Sequence, residues 1–183
     1  MKVVGIFGIS GVGKTTLIES VIGKRSSWVR VSAGALVQEH RPSVGRDSLR
    51  ELPLDGLQEN QEAIVIGLHR TRETIRAELI LFDGHILVDN GLQLFEVPRH
   101  VIARLQLDAL VFVEEAPREI LVRRSRDPQR ARAKRSLEEI AAEQSRARSM
   151  ALSYAQALGL TVRTFASNQL EELTAFLESV WTS

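Results

Sequence analysis

Eight residues near the N-terminus, Gly8-Ile9-Ser10-Gly11-Val12-Gly13-Lys14-Thr15, follow the pattern glycine, four residues, glycine, lysine, hydroxyl residue. That pattern is suited to holding a chain of phosphates. Glycines let the backbone turn several N–H groups inward without Cβ clashes, and such amides attract phosphate oxygens. Lys14 adds a positive charge for the β- and γ-phosphates, and the Thr15 hydroxyl can ligate Mg²⁺, a hard cation that prefers oxygen. The residues expected against a nucleotide are Gly8, Ser10, Gly11, Val12, Gly13, Lys14, Thr15 and Thr16. The expected ligands are ATP and Mg²⁺. A glycine-rich turn beside a solvated lysine is the competing explanation. An apolar segment leading in and a helical pattern leading out argue against it.

Further along, the apolar run Leu79–Phe82 ends in Asp83-Gly84-His85. An aspartate at the carboxyl end of a buried strand faces the crevice where open α/β sheets bind ligands, and there it can help hold magnesium. The rival for Asp83 is a turn residue, since Asp-Gly is a common turn pair. His85 could orient a substrate, accept a proton, or be a satisfied structural histidine.

Arginines form two groups. Between Arg118 and Arg135 stand eight basic residues against only Glu119 and Asp127, and Arg123, Arg124, Arg130, Arg132 and Arg135 are among them. Guanidinium groups can spread over the oxygens of a phosphoryl group in transfer, and Pro128 suggests a loop that closes as a short lid. A solvated basic face and an RNA-contacting patch are the alternatives, and the absence of interleaved aromatics weakens the second. Arg46 and Arg50, four apart, share a helical face where a second phosphate could sit, or are simply exposed.

These groups need a frame. Five short apolar runs read as buried parallel strands: Val3–Phe7, Val29–Ser32, Leu79–Phe82, Ala109–Val113 and Thr161–Phe165. Helical patterns fill the gaps, which predicts an α/β fold with a five-stranded parallel sheet between helices. Thr15–Gly23 reads as the helix leaving the loop, and Leu57, Ile64, Leu68 and Ile75 form one apolar stripe. Pro117 opens another helix. Ser136-Leu-Glu-Glu139 is a capping-box pattern for a helix reaching Leu158, with Gly159 as its stop. Ser167 or Asn168 is expected to cap the last helix. The stretch Glu39–Gly56 reads as a connection or a small insert over the sheet.

The bulk properties fit one compact domain across residues 1–183, with 44% hydrophobic and 26% charged residues. No apolar run nears the roughly 18 residues a membrane span requires. The absence of cysteine excludes disulfides and thiolate metal sites and is compatible with the cytoplasm, the location expected. A net charge of +1 argues against general attraction to nucleic acid or membrane.

Taken in order, the segments resemble the archaeal-type adenylate kinases, among the P-loop nucleoside monophosphate kinases. The resemblance rests on the Gly8–Thr16 loop, Val31-Ser-Ala-Gly34, Arg46-Asp-Ser-Leu-Arg50-Glu-Leu and Asp83-Gly-His85. It continues through Val113-Glu-Glu-Ala-Pro-Arg-Glu-Ile-Leu-Val-Arg-Arg124, Gln144…Arg148-Ser-Met-Ala-Leu-Ser-Tyr154-Ala and Gly159. It covers nearly the whole chain. It implies a P-loop three-layer sandwich, an acceptor region at about 33–78, an arginine lid at about 124–136, and the reaction ATP + AMP to two ADP. By matching position it assigns Gly34, Arg46 and Arg50 to the acceptor; the readings of the motifs above add His85 on the substrate side and give Thr15 and Asp83 to the metal. Arg124 would lie against the ATP, Arg130, Arg132 and Arg135 would come from the lid, and Arg148 from the next helix. Lys14 and these arginines would stabilise the transferring phosphoryl group. The segment Gly84–Pro98 departs from the family's usual composition, and it falls where the acceptor pocket is expected. A different phosphorylated acceptor therefore stays open, as does a regulatory ATPase that binds RNA or a protein partner.

Overall fold

In the computed structural model the residues described are 1–40, 42, 54–89, 93–126 and 134–183. Arg46, Arg50, Arg130 and Arg132 lie outside them.

Alternation of short apolar runs with helical segments produces the expected sheet. β1 (Lys2–Phe7), β2 (Trp28–Ser32) and β3 (Leu79–Asp83) pair in parallel with β6 (Ala109–Glu114) and β7 (Thr161–Ala166), in the order β2-β3-β1-β6-β7. The three central strands read as continuous apolar runs because helices cover both faces. Val3, Val4, Ile6, Phe7, Leu79–Leu81 and Ala109–Val113 are wholly buried. Register aligns Ile6 and Ser32 with Asp83, so the carboxyl ends of β1, β2 and β3 finish level with one another. That common edge is where the loop after β1 opens.

Helix α1 (Lys14–Ile22) follows the loop, and α2 (Ala33–His40) follows β2 directly. The stripe centred on Ile64 and Leu68 becomes α3 (Leu54–Thr74); of the expected Glu39–Gly56 connection the two ends are helix, and residues 41 and 43–53 lie outside the described residues. Two short strands between β3 and β6, β4 (Leu87–Asp89) and β5 (Leu94–Glu96), form an antiparallel pair that the sequence pattern does not announce. Each is three residues long, too short for a period-2 pattern to stand out. Helix α4 (Arg99–Arg104) follows Pro98, and α5 (Pro117–Ser125) starts at its proline as expected.

The capping box is present in full at α6 (Leu137–Leu158). Ser136 Oγ accepts from the Glu139 N–H at 3.2 Å, and Glu139 Oε2 accepts from the Ser136 N–H at 2.7 Å. Gly159 ends it at φ 66°, the left-handed stop that glycine allows. The last helix, α7 (Leu170–Thr182), corrects an expectation: neither Ser167 nor Asn168 caps it. Gln169 holds that position, and its side chain accepts from the Ala166 N–H instead of capping α7. Ser167 is drawn into the ion-pair network described below.

Candidate functional site

The loop between β1 and α1 is shaped by its glycines. Gly8 has φ +154°, and a Cβ there would lie 2.5 Å from the Val113 carbonyl oxygen, so the chain can turn off the sheet only without a side chain. Gly13 stands at the helix N-cap with φ 101° and no side-chain cap, leaving the first N–H groups of α1 directed at the loop's interior. Lys14 is 6% exposed. Its ammonium donates to Gly8 O at 2.8 Å and Ile9 O at 3.2 Å, which holds the charge inside the ring of the loop.

A loop that turns N–H groups inward must turn carbonyls outward, and buried carbonyls need donors. Three side chains from distant segments meet that need. His85 Nδ1 lies 2.9 Å from Gly8 O; because a carbonyl only accepts, the Nδ1–H donates. Arg124 Nε donates to Ser10 O at 2.9 Å, and Arg123 donates to Val12 O at 2.8 Å. The structure thus bonds His85 and Arg124, both expected to meet ligands, to carbonyls of the loop, and His85 shares Gly8 O with Lys14.

Both arginines are balanced by carboxylates. Arg124 faces Glu143 on α6 at 3.1 Å, with side chains 7% and 4% exposed. Burial pushes the Glu143 carboxyl above its ordinary value, and Arg124 beside it pulls the other way. Arg123 pairs with Glu115 at 2.9 Å and also donates to Ser167, which itself donates to Glu115. Burial opposes ionisation of Glu115, but Ser167, the Ala116 N–H and Arg123 together hold its carboxyl below the usual range.

At the level edge of the sheet, Asp83 is 8% exposed. Thr15 Oγ1 lies 3.4 Å from Asp83 Oδ2. A hydroxyl and a carboxylate oxygen this close suit a hard, oxygen-seeking cation such as Mg²⁺, so the pair fits the metal role expected of it. Arg30 on β2 reaches the same carboxylate, with Nη2 2.7 Å and Nε 3.0 Å from Oδ2.

The other expected residues lie farther apart. Arg148 on α6 is half exposed and faces Glu114 at the end of β6 at 3.6 Å. Gly34 is exposed in the first turn of α2. Arg135 does not project as a free lid residue: it clasps Asp89 of β4 with two bonds of 3.1 and 3.0 Å, which raises its own pKa. Sequence reasoning missed Arg30, Glu143, Glu115 and Ser167. Arg30 alone left a signal, as the only charge inside the β2 segment Trp28-Val29-Arg30-Val31-Ser32.

Loop, level strand ends and five-strand order define the chain as a P-loop protein. A family model described as an AAA domain matches residues 7–141. Adenylate kinase of Methanothermobacter thermautotrophicus is 32% identical over 187 residues, covering 98% of this chain and 99% of the relative. Adenylate kinase of Thermococcus kodakarensis is 36% identical over 159 residues, covering 84% and 80%. That of Thermoplasma acidophilum is 31% identical and covers 90% and 88%. A shikimate kinase from Bacteroides thetaiotaomicron superimposes with a TM-score of 0.59 at 16% identity, covering 99% of this chain and 94% of its own, a likeness of fold. The chain belongs to the family of these archaeal adenylate kinases. Among the described residues, no helix is long and apolar enough to cross a membrane.

Proposed function

We propose that this protein transfers the γ-phosphoryl group of ATP to AMP, giving two molecules of ADP. The observation that carries the proposal is the convergence of Lys14, Thr15 and Asp83 at one edge of the sheet, in a chain related along its length to archaeal adenylate kinases. The loop N–H groups and the α1 N-terminus bind the donor's phosphates. Lys14, already inside the loop, neutralises charge on the β- and γ-phosphates, which loosens the bond to the leaving ADP. Thr15 and Asp83 would hold a magnesium ion. When bound, it neutralises phosphate charge and helps align the transferring group.

On the acceptor side, Gly34, Arg46 and Arg50 bind AMP so that its phosphate lies in line with the donor. Arg130 and Arg132 close over the reacting phosphates and exclude water, which limits hydrolysis. Arg148 stands at the sheet edge, where it can join them. Arg124 supports this chemistry through Ser10 O, by keeping the loop's amides turned inward. The inward pairing of Arg123, Arg124 and Arg135 with Glu115, Glu143 and Asp89 weighs against a basic surface built for RNA.

Purified protein with Mg²⁺, ATP and AMP is expected to form ADP only when both nucleotides are present. ADP appearing at the same rate without AMP would overturn the proposal. A second phosphorylated acceptor preferred over AMP in a panel would reassign the acceptor and leave the donor side standing.

A further inference from the structure

Asp83 Oδ2 is approached by three donors: Thr15 Oγ1 at 3.4 Å, Arg30 Nε at 3.0 Å and Arg30 Nη2 at 2.7 Å. Nη2 also lies 3.3 Å from Thr15 Oγ1. The guanidinium therefore touches both oxygens that a cation at this site would use. Its remaining nitrogen, Nη1, lies 3.3 Å from Glu19 Oε1 on α1. The Glu19 side chain is 58% exposed and that of Arg30 24%, whereas Asp83 is buried, so the arginine spans from a buried carboxylate to a solvated one.

We propose that Arg30 is an internal cation that competes with magnesium for the Thr15–Asp83 pair, with Glu19 as its alternative seat. The inference rests on Thr15 and Asp83 being the metal-holding pair. A guanidinium and a divalent ion repel each other, and Arg30 already makes two bonds to Oδ2, so the two compete for that oxygen. Metal binding at Oδ2 is therefore favoured when the arginine head moves off Asp83, and Glu19 lets it move without losing every charge partner. Before metal arrives, Arg30 keeps a buried carboxylate from standing unpaired, a costly state. It also biases the free protein against binding the metal alone, so that metal enters together with nucleotide phosphates, which add ligands of their own. Arg30 is thus a positioning residue that sets metal affinity.

The test is direct titration with Mn²⁺, a probe ion for oxygen sites of this kind, followed by electron paramagnetic resonance on the full chain without nucleotide. Replacing Arg30 with glutamine is expected to tighten Mn²⁺ binding by about tenfold, because it removes a competing positive charge from bonding distance of Oδ2. Glu19→Gln, at an exposed position, is expected to weaken it, because the arginine is left with Asp83 alone. If Arg30→Gln fails to fold, Arg30→Lys keeps the charge but loses the two-pronged grip and should tighten binding by less. Unchanged or weaker Mn²⁺ binding in the Arg30 variant that folds overturns the inference. If Asp83→Asn still abolishes binding in that case, the metal pair itself stands. Mn²⁺ binding that survives Asp83→Asn overturns both the metal pair and the role of Arg30. AMP-dependent ADP formation is read separately and decides the kinase reaction.

Discussion

The inner and outer sides of the phosphate loop place positive charge by opposite means. Inside, charge comes from backbone amides, a helix N-terminus and one lysine whose ammonium is tied to Gly8 O and Ile9 O. Outside, it comes from Arg123 and Arg124, each bonded to a loop carbonyl and matched by a carboxylate from another segment. The inner side faces where a ligand would sit; on the outer side Arg124 is buried in protein and Arg123 reaches partly into solvent. The difference separates charge that a ligand can use from charge already committed to holding the loop. Two arginines adjacent in sequence therefore need not both act on substrate. In this structure Arg124 braces Ser10, and its guanidinium is shared with Glu143.

The most forceful way to break that contrast is at Glu143. Glu143→Ala would leave Arg124 buried without its counter-charge, which typically costs about 3–5 kcal/mol. Urea unfolding should show a loss of that order, with Glu143→Gln losing less because it keeps a hydrogen-bond acceptor. An unchanged midpoint for Glu143→Ala would mean that the outer arginines are not held by their carboxylates. On the inner side, Lys14→Ala should do the reverse. Turnover should fall about 10²–10³-fold, as when a single stabilising donor is removed from other active sites. Stability should change by only about 1 kcal/mol, the worth of ordinary hydrogen bonds to backbone carbonyls. Near-normal turnover would remove Lys14 from the chemistry.

The same contrast explains what could be read from the sequence. The inner side is local: Gly8 to Thr15 fall in one segment, and each glycine answers a backbone demand that spacing reveals. The three central strands were legible for a similar reason, because burial on both faces leaves unbroken apolar runs such as Leu79–Phe82; the outer strands β2 and β7 were expected to be buried as well, but they are only partly so, since each has a neighbour on one side alone. The outer side is long-range. Arg124 and Glu143 are 19 positions apart and Arg123 and Val12 are 111 apart. No local pattern announces that a glutamate on α6 will meet an arginine on α5. Sequence therefore nominated the arginines and could not assign their partners, so Arg124 and Arg135 were both expected to face phosphates. Arg30 was legible only as an oddity, a charge within a strand, whose meaning depends on β2 and β3 ending level at Ser32 and Asp83.

The mildest test concerns Glu115, where the outer network is nearest to solvent. Burial disfavours its ionised form, yet the bonds from Ser167, Ala116 N–H and Arg123 prevail and hold its pKa below the ordinary 4.5. A lowered carboxylate pKa means that the folded chain binds this proton less readily than the unfolded chain does. The stabilisation is therefore present above about pH 4.5 and is lost as pH falls through the lower folded value. Glu115→Gln should be less stable than the parent near neutrality by about 1 kcal/mol, since Arg123 is partly solvated and the pair is screened. The gap should close in acid, where the parent loses the same charge. Denaturant midpoints for both proteins across the acid range make the comparison. A gap that stays constant would assign the effect to packing around Ser167, and Arg123 would then hold Val12 without help from a counter-charge.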